Sequence, residues 1–138
     1  MEEPTAADRE LLAAAEAALA EGYVEGRHDV AAAVRTGAGR IVTGLNLEAS
    51  TNRAAVCAEA IAIGRAVCEG ARGFDAIVAV WYPATGGAAQ VCSPCGVCRE
   101  LIADYAPEAT VLVWDGTLQR STLSELLPAS WGWDGVRP

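Results

Sequence analysis

Two short cysteine motifs constrain the fold of this chain more than any other feature of its sequence. Cys57-Ala58-Glu59 and Ser93-Pro94-Cys95-Gly96-Val97-Cys98 lie well apart along the chain. Thiolates are favoured zinc ligands, and catalytic zinc sites supply three protein ligands and leave the fourth position to water. A glutamate beside the metal can carry the protons of that water, a task that a structural site does not have. The motifs therefore predict a catalytic zinc site that the fold must assemble from both.

Both motifs are placed where helices are expected to begin. Apolar residues recur at helical spacing after each motif, as Ile61, Ala62, Ala66 and Val67 and then as Leu101, Ile102 and Tyr105. Pro94 suits a position at or just before a first helical turn. Cys95 and Cys98 are three residues apart on one helical face, so both sulfurs can reach one ion. Helix N-termini carry partial positive charge, which stabilises thiolates.

Composition restricts the class of protein and its partners. At 138 residues the chain is expected to form one domain over residues 1–138. The acidic start is not a secretory signal, no apolar run reaches membrane-spanning length, and five cysteines in a metal-like pattern favour a reducing cytoplasm. The net charge of -8 disfavours nucleic acid as a partner. We therefore expect a cytoplasmic protein that binds a small molecule, with no nucleic-acid or membrane partner.

The remaining patterns indicate an α/β fold with a mixed sheet. Helices are predicted at about residues 5–21, 57–70, 95–106 and 121–127, and strands at 30–34, 41–45, 74–80 and 110–114. Residues 82–90, with a glycine pair, are predicted to be a loop. A hairpin followed by alternating helices and strands implies helices on both faces of the sheet. The strand-to-helix loops would bring the two metal-binding helices together at one edge. Cys68, among apolar residues, is expected to be an inert core thiol.

These residues resemble the cytidine deaminase family, including its blasticidin S deaminase branch. The resemblance covers about residues 5–133 and is carried by Gly39-Arg40-Ile41-Val42-Thr43-Gly44, Asn46-Leu47-Glu48, Cys57-Ala58-Glu59, Ser93-Pro94-Cys95-Gly96-Val97-Cys98-Arg99 and Glu125-Leu126-Leu127-Pro128. It implies a three-layer α/β/α sandwich around a mixed five-stranded sheet. It also implies a homotetramer with shared active sites and a role in pyrimidine salvage.

The resemblance also assigns roles to individual residues. Cys57, Cys95 and Cys98 would bind zinc, and Glu59 would act as general acid and base in a hydrolytic deamination that releases ammonia. The N–H of Ala58 and the carbonyl of Ser93 would hold the base of the substrate. Asn46 and Glu48 would bind a ribose hydroxyl. His28 aligns with an aromatic residue that lies against the base, and Trp131 and Trp133 either cover the pocket or pack at a subunit surface.

Departures from the family pattern leave the substrate open between two candidates. In three-cysteine cytidine deaminases an arginine donates to a zinc-bound sulfur, and this chain has Ala60 at that position. Blasticidin S deaminases also lack that arginine. Glu48 keeps the ribose-binding acid of cytidine deaminases, where blasticidin S deaminases carry a tyrosine. Cytidine or deoxycytidine is therefore the leading substrate, and blasticidin S or another modified aminopyrimidine or aminated heterocycle is the alternative. Arg99 or Arg53 is expected to offset part of the thiolate charge.

A non-enzymatic interpretation depends on a fourth cysteine. Cys92 precedes the second motif and extends it to C-x2-C-x2-C, a spacing that iron–sulfur sites and closed structural zinc sites also use. Such a site would make the chain a metal-stabilised binding module. Pro94 and the helix start, however, direct Cys95 and Cys98 away from Cys92, and a closed site would give Glu59 no task. The catalytic interpretation is therefore preferred.

Overall fold

A computed structural model describes residues 1–132 and contains a single sheet with helices on both of its faces. The helices are α1 (Ala6–Gly22), α2 (Ala58–Cys68), α3 (Gly96–Tyr105) and α4 (Leu123–Leu126). The strands are β1 (Val30–Thr36), β2 (Ile41–Leu45), β3 (Phe74–Trp81), β4 (Gln90–Val91), β5 (Thr110–Trp114) and β6 (Leu118–Ser121). Among the described residues, no helix has the length and apolar character needed to cross a membrane.

The sheet is mixed, as the sequence predicts. Its strand order is β2-β1-β3-β5-β6, and the short β4 pairs with the end of β3. β3 and β5 run parallel, whereas β1–β2, β1–β3, β3–β4 and β5–β6 are antiparallel. The parallel pair is connected through α3, which returns the chain across one face of the sheet. The predicted α/β class is therefore confirmed.

Alternating strand residues build two separate cores, one on each face. Ala31 and Ala33 face α1, which buries Leu11 and Leu19 completely. Ala32 and Val34 pack with residues of α2, α3 and α4 on the other face. α1 thus forms one outer layer and the other three helices form the second, which gives the predicted three-layer sandwich.

The N-terminal helix begins where the sequence predicts it. The Thr5 hydroxyl accepts a hydrogen bond from the N–H of Asp8, and the Asp8 carboxylate accepts one from the N–H of Thr5. This reciprocal capping box satisfies two backbone donors that the first turn would leave unpaired. Asp8 is buried, and Arg120 Nε lies 2.9 Å from its carboxylate, so the cap of α1 is tied to β6.

Two strands and one cysteine differ from the predictions. β6 has half-exposed residues and includes Gln119 and Arg120, so it lacks the continuous apolar run of a central strand. β4 has only two residues, and its pairing to β3 brings Gln90 out of the predicted loop. The five-strand path is as expected, and β4 adds a sixth strand. The expectation of a buried Cys68 is wrong, because that residue ends α2 on its exposed side.

Close approach of β2 to α2 fixes the helix that carries Cys57 and Glu59. A Cβ atom on Gly44 would lie 2.5 Å from the backbone nitrogen of Ala62 and 3.0 Å from the carbonyl oxygen of Ala58. Only a glycine allows the strand and the helix to pack at this distance. Gly44 therefore sets the position of α2 relative to the sheet.

Candidate active site

Three cysteine thiols meet at the starts of α2 and α3. Cys57 is the N-cap residue of α2 and Cys95 is the N-cap residue of α3, and both have extended backbone conformations. Cys98 follows in the first turn of α3 and is fully buried. The sulfur atoms of Cys57 and Cys95 lie 3.9 Å apart, and all three sulfur atoms lie within 4.8 Å of one another. The fold thus brings the two motifs together as the sequence predicts.

The geometry of the thiol cluster fits zinc. Two thiolates bound at about 2.3 Å to a tetrahedral ion lie about 3.8 Å apart, close to the distance between Cys57 and Cys95. Within residues 1–132, no fourth His, Cys, Asp or Glu joins the cluster. Three protein ligands and an open position are the arrangement of catalytic zinc sites.

Glu59 lies beside this cluster in the first turn of α2. Glu59 is only 6% exposed. Its negative charge helps to raise the pKa of the Cys57, Cys92 and Cys98 thiols. A buried carboxylate next to a metal site and next to a pocket has the position that a proton carrier requires.

A cavity of about 540 Å³ opens next to the thiols. Seven of the site residues predicted from the sequence line it, namely Asn46, Glu48, Cys57, Ala58, Glu59, Ser93 and Cys95. Backbone hydrogen bonds of 2.9 Å in both directions between Leu47 and Val56 hold the segment after β2 against the start of α2. This pairing places Glu48 close in the fold to Cys57.

Comparison with known proteins identifies the family. Residues 5–114 match the family model of the cytidine and deoxycytidylate deaminase zinc-binding region. The chain belongs to this family. Blasticidin-S deaminase of Bacillus cereus is 46% identical over 125 residues, which cover 88% of this chain and 89% of that protein. Cytidine deaminase of Halalkalibacterium halodurans is 33% identical over 128 residues, which cover 89% and 93%.

Solved structures agree with this assignment. The crystal structure of cytidine deaminase from Mycobacterium tuberculosis matches with a TM-score of 0.73 at 28% identity, over 91% of this chain and 97% of that one. Members of the cytidine deaminase family are zinc-dependent hydrolytic deaminases, so the predicted family, enzyme class and cofactor are confirmed. This result favours the open catalytic site over the four-cysteine binding module.

The protonation of the thiols in this cytidine deaminase family member depends on burial and on nearby charges. Burial, and then the charge of Glu59, raises the pKa of Cys98, and burial also raises the pKa of Cys57. Burial opposes ionisation of Cys95 as well, but the nearby backbone N–H groups at the start of α3 help to lower the pKa of the Cys95 thiol. Zinc must therefore displace protons from Cys57 and Cys98, and its binding weakens as the pH falls.

Cys92 lines the same pocket but lies outside the metal cluster. Burial, and then the charge of Glu59, raises the pKa of its thiol to about 12, so Cys92 is protonated at neutral pH. We expect Cys98→Ser to reduce bound zinc to below about one-tenth of the wild-type content, because a hydroxyl is a poor replacement for a thiolate ligand. Elemental analysis after dialysis measures this loss.

Cys92→Ser is the matched control for the metal prediction. The variant also replaces a sulfur atom by oxygen, at a position a few residues from the ligands. We expect it to retain one zinc per chain. If Cys92→Ser loses zinc as readily as Cys98→Ser, the three-ligand site is wrong and the four-cysteine site is favoured.

The Asn46 side chain is largely occupied by hydrogen bonds within the protein. Its carbonyl oxygen accepts from the N–H groups of Asp29 at 2.8 Å and Val30 at 3.0 Å, and its amide nitrogen donates to the Asp29 carboxylate at 2.8 Å. One amide hydrogen of Asn46 is left for a ligand. Asn46 therefore fixes the start of β1, and a contact with ribose through this residue stays a prediction.

Three other predicted substrate contacts lie elsewhere or outside the described residues. His28 Nδ1 lies 2.8 Å from the carbonyl oxygen of Asn46, and this contact holds the ring in a neighbouring groove rather than in the metal pocket. The stacking of His28 on the substrate stays a prediction. Trp131 is 73% exposed, does not line the pocket, and donates its backbone N–H to Glu100. Trp133 lies outside the described residues.

Neither arginine considered for charge compensation is hydrogen-bonded to a thiol in the described chain. Arg99 Nε donates to the carbonyl of Pro94 at 2.8 Å, and its Nη1 donates to the carbonyl of Leu126 at 2.9 Å. Arg99 thus ties the loop before α3 to the end of α4. Arg53 is exposed and lines the pocket. The two helix N-termini add partial positive charge at the three thiols.

The sequence reasoning missed Asp29 as a pocket residue. Asp29 is half-buried, directly precedes β1 and lines the cavity beside Asn46. Its only signal in the sequence was its position between His28 and the apolar strand, and a polar residue there is also typical of an ordinary strand start.

Proposed function

We propose that this protein catalyses zinc-dependent hydrolytic deamination of an aminopyrimidine nucleoside, with cytidine or deoxycytidine as the leading substrate. The observation that carries the proposal is the buried Glu59 carboxylate between a three-thiol cluster and a cavity large enough for such a molecule. Asn46 and Glu48 on the cavity wall favour a ligand with a sugar.

Cys57, Cys95 and Cys98 would hold the zinc, and when bound the ion supplies a Lewis acid that makes water a nucleophile near neutral pH. Glu59 accepts a proton from the attacking water and delivers a proton to the ring nitrogen next to the amino-bearing carbon. A C–O bond then forms at that carbon. Glu59 next carries the second proton of the water to the amino group, the C–N bond breaks and ammonia leaves. The carboxylate ends in its starting state, so it acts as both base and acid.

Backbone groups at the start of α2 and before α3 would orient the pyrimidine ring. Ala58 is the first residue of α2, and its N–H is one of the donors that an α-helix leaves without an intrahelical partner. The carbonyl of Ser93 would accept from the amino group on the other side of the ring. The Ser93 hydroxyl accepts from the N–H of Trp114 at 3.1 Å, which fixes this residue against the end of β5.

Blasticidin S is the second candidate substrate, and a specific observation supports it. The identity to the Bacillus cereus blasticidin-S deaminase is 46%, against 33% for the Halalkalibacterium halodurans cytidine deaminase over a similar length. Ammonia release measured across nucleosides, free bases and blasticidin S tests the proposed function. Absence of ammonia release from all of these compounds by the zinc-loaded protein would contradict it.

Substitution of Glu48 tests whether the enzyme recognises the sugar of a nucleoside. If a sugar hydroxyl donates to the Glu48 carboxylate, Glu48→Ala should lower kcat/KM for cytidine about 5- to 30-fold, since hydrogen bonds to charged groups contribute about 1–2 kcal/mol at an exposed position. Activity on the free base cytosine should not change. Glu16→Ala, an exposed glutamate on α1, is the control for loss of one surface charge. An equal loss with cytidine and cytosine would exclude the sugar contact.

The proposal also covers the assembly of the protein and its cellular role. We infer a homotetramer in the cytoplasm with a role in pyrimidine salvage, in keeping with the family resemblance. Three tryptophans, Trp81, Trp114 and Trp131, have large exposed surfaces in the single chain, and burial between subunits would remove them from water. Light scattering on dilute protein distinguishes a tetramer from a monomer.

A further inference from the structure

Asp29 is a carboxylate on the pocket wall to which the deamination chemistry gives no task. Its backbone N–H donates to Asn46 Oδ1, and its Oδ1 accepts from Asn46 Nδ2, both at 2.8 Å. These two hydrogen bonds fix the carboxylate of a half-buried residue in one orientation. Asn46 occupies only one of its two oxygens, so Asp29 retains acceptor capacity for a molecule in the cavity.

Within residues 1–132 of a single chain, the Asp29 carboxylate has no cationic partner in an ion pair. The same holds for Glu48 in that part of the chain, where the ion pairs involve other acids. Among the described residues that line the cavity are the carboxylates of Asp29, Glu48 and Glu59 and one cationic side chain, that of Arg53. Partial burial without a cation is unfavourable for a carboxylate, and a positively charged ligand group would relieve the cost.

We propose that Asp29 is a specificity-determining residue that contacts the part of the substrate beyond the ring undergoing deamination and favours an ammonium or guanidinium group there. This inference rests on the proposed function and concerns the second candidate substrate class, aminopyrimidine nucleosides that carry a cationic substituent. Asn46 acts as a positioning residue in this arrangement, because it holds the Asp29 carboxylate towards the cavity. Glu48 adds a second negative charge to the same wall.

Asp29→Asn is the variant that tests the charge alone. Asparagine has nearly the same shape and keeps an oxygen that can accept from Asn46 Nδ2, so the start of β1 is expected to stay intact. Affinities are measured by calorimetry on zinc-loaded Glu59→Gln protein, which binds ligands without rapid turnover, with and without the Asp29→Asn change. The ligands are cytidine, which is uncharged, and blasticidin S, whose side chain carries a guanidinium that stays charged at every practical pH.

We expect Asp29→Asn to weaken binding of blasticidin S at least 10-fold and binding of cytidine less than 2-fold. The affinity for blasticidin S should also fall with added salt in the protein that retains Asp29, and fall less in the Asp29→Asn protein. Asp75→Asn, an exposed aspartate in β3, is the matched control and should change neither affinity.

Two results would overturn the inference. Equal loss of affinity for both ligands would show that Asp29 only supports the pocket structure, and a protein with Asp29 that does not prefer blasticidin S over cytidine would exclude the cation preference. Ammonia release by the protein with Glu59 intact is measured separately. Its absence contradicts the proposed function, whereas the binding data alone decide the role of Asp29.

Discussion

Replacing Glu59 by glutamine is expected to lower kcat about 100- to 10,000-fold while zinc stays bound. A positioned general acid and base contributes a rate factor of about this size. Glutamine keeps the shape of glutamate and can still form hydrogen bonds, but it cannot carry a proton between the water, the ring nitrogen and the leaving ammonia. Glu59 is not one of the three sulfur ligands, so the metal content should be unaffected.

Turnover and zinc content measured on the same preparation separate chemistry from metal loss. Glu69→Gln, at the opposite end of α2, is the matched control, because it makes the same substitution away from the pocket. We expect that variant to keep the wild-type rate. A Glu59→Gln protein that releases ammonia at the wild-type rate would end the proposed mechanism.

Gly44→Ala is expected to lower the stability of the protein strongly, because it adds a methyl group at the contact between β2 and α2. The added Cβ would meet the backbone nitrogen of Ala62 at 2.5 Å and the carbonyl oxygen of Ala58 at 3.0 Å. These are backbone atoms of a packed helix, so no side-chain rotation can relieve the overlap. Overpacking costs about 1–3 kcal/mol, and we expect the upper end of that range or more for the free energy of unfolding.

Urea unfolding, followed by circular dichroism, measures the effect. Gly64→Ala is the matched control in α2, since a Cβ there meets nothing within 4 Å and alanine has the higher helix propensity. That variant should gain about 0.5–1 kcal/mol. A Gly44→Ala midpoint equal to that of the wild type would show that β2 and α2 can separate at little cost. A shift of α2 would also move Cys57, so zinc affinity should fall together with stability.

The helix starts and the metal cluster could be predicted because their signals are local. Cys57 and Cys95 each precede an apolar pattern of helical period, and both are N-cap residues in the structure. Thr5 and Asp8 form a capping box that a few residues determine by themselves. The buried strands were also predicted, since β1, β3 and β5 are continuous apolar runs that need no knowledge of their partners.

The wall of the pocket could not be predicted because it depends on contacts between distant segments. The direction of the His28 ring follows from a contact with the Asn46 carbonyl, which the hairpin brings near. The place of Asp29 in the cavity follows from the same arrangement. β6 is stabilised as an edge strand by pairing with β5, and its own residues have no strong strand pattern. A single sequence contains no signal for such pairings.

The cysteines at the two N-caps also make the metal part of the folding reaction. Neither the Cys57 nor the Cys95 side chain forms a capping hydrogen bond, so α2 and α3 begin without the stabilisation that serine, threonine or aspartate would give. An ion shared by the two residues would link the helix ends and compensate for the missing caps, as metal binding does in other proteins that couple ligation to folding. Zinc supply would therefore control how much of this enzyme survives proteolysis as well as how much is active. Hydrogen exchange at the first turns of α2 and α3 would report the difference between the zinc-loaded and zinc-depleted chains.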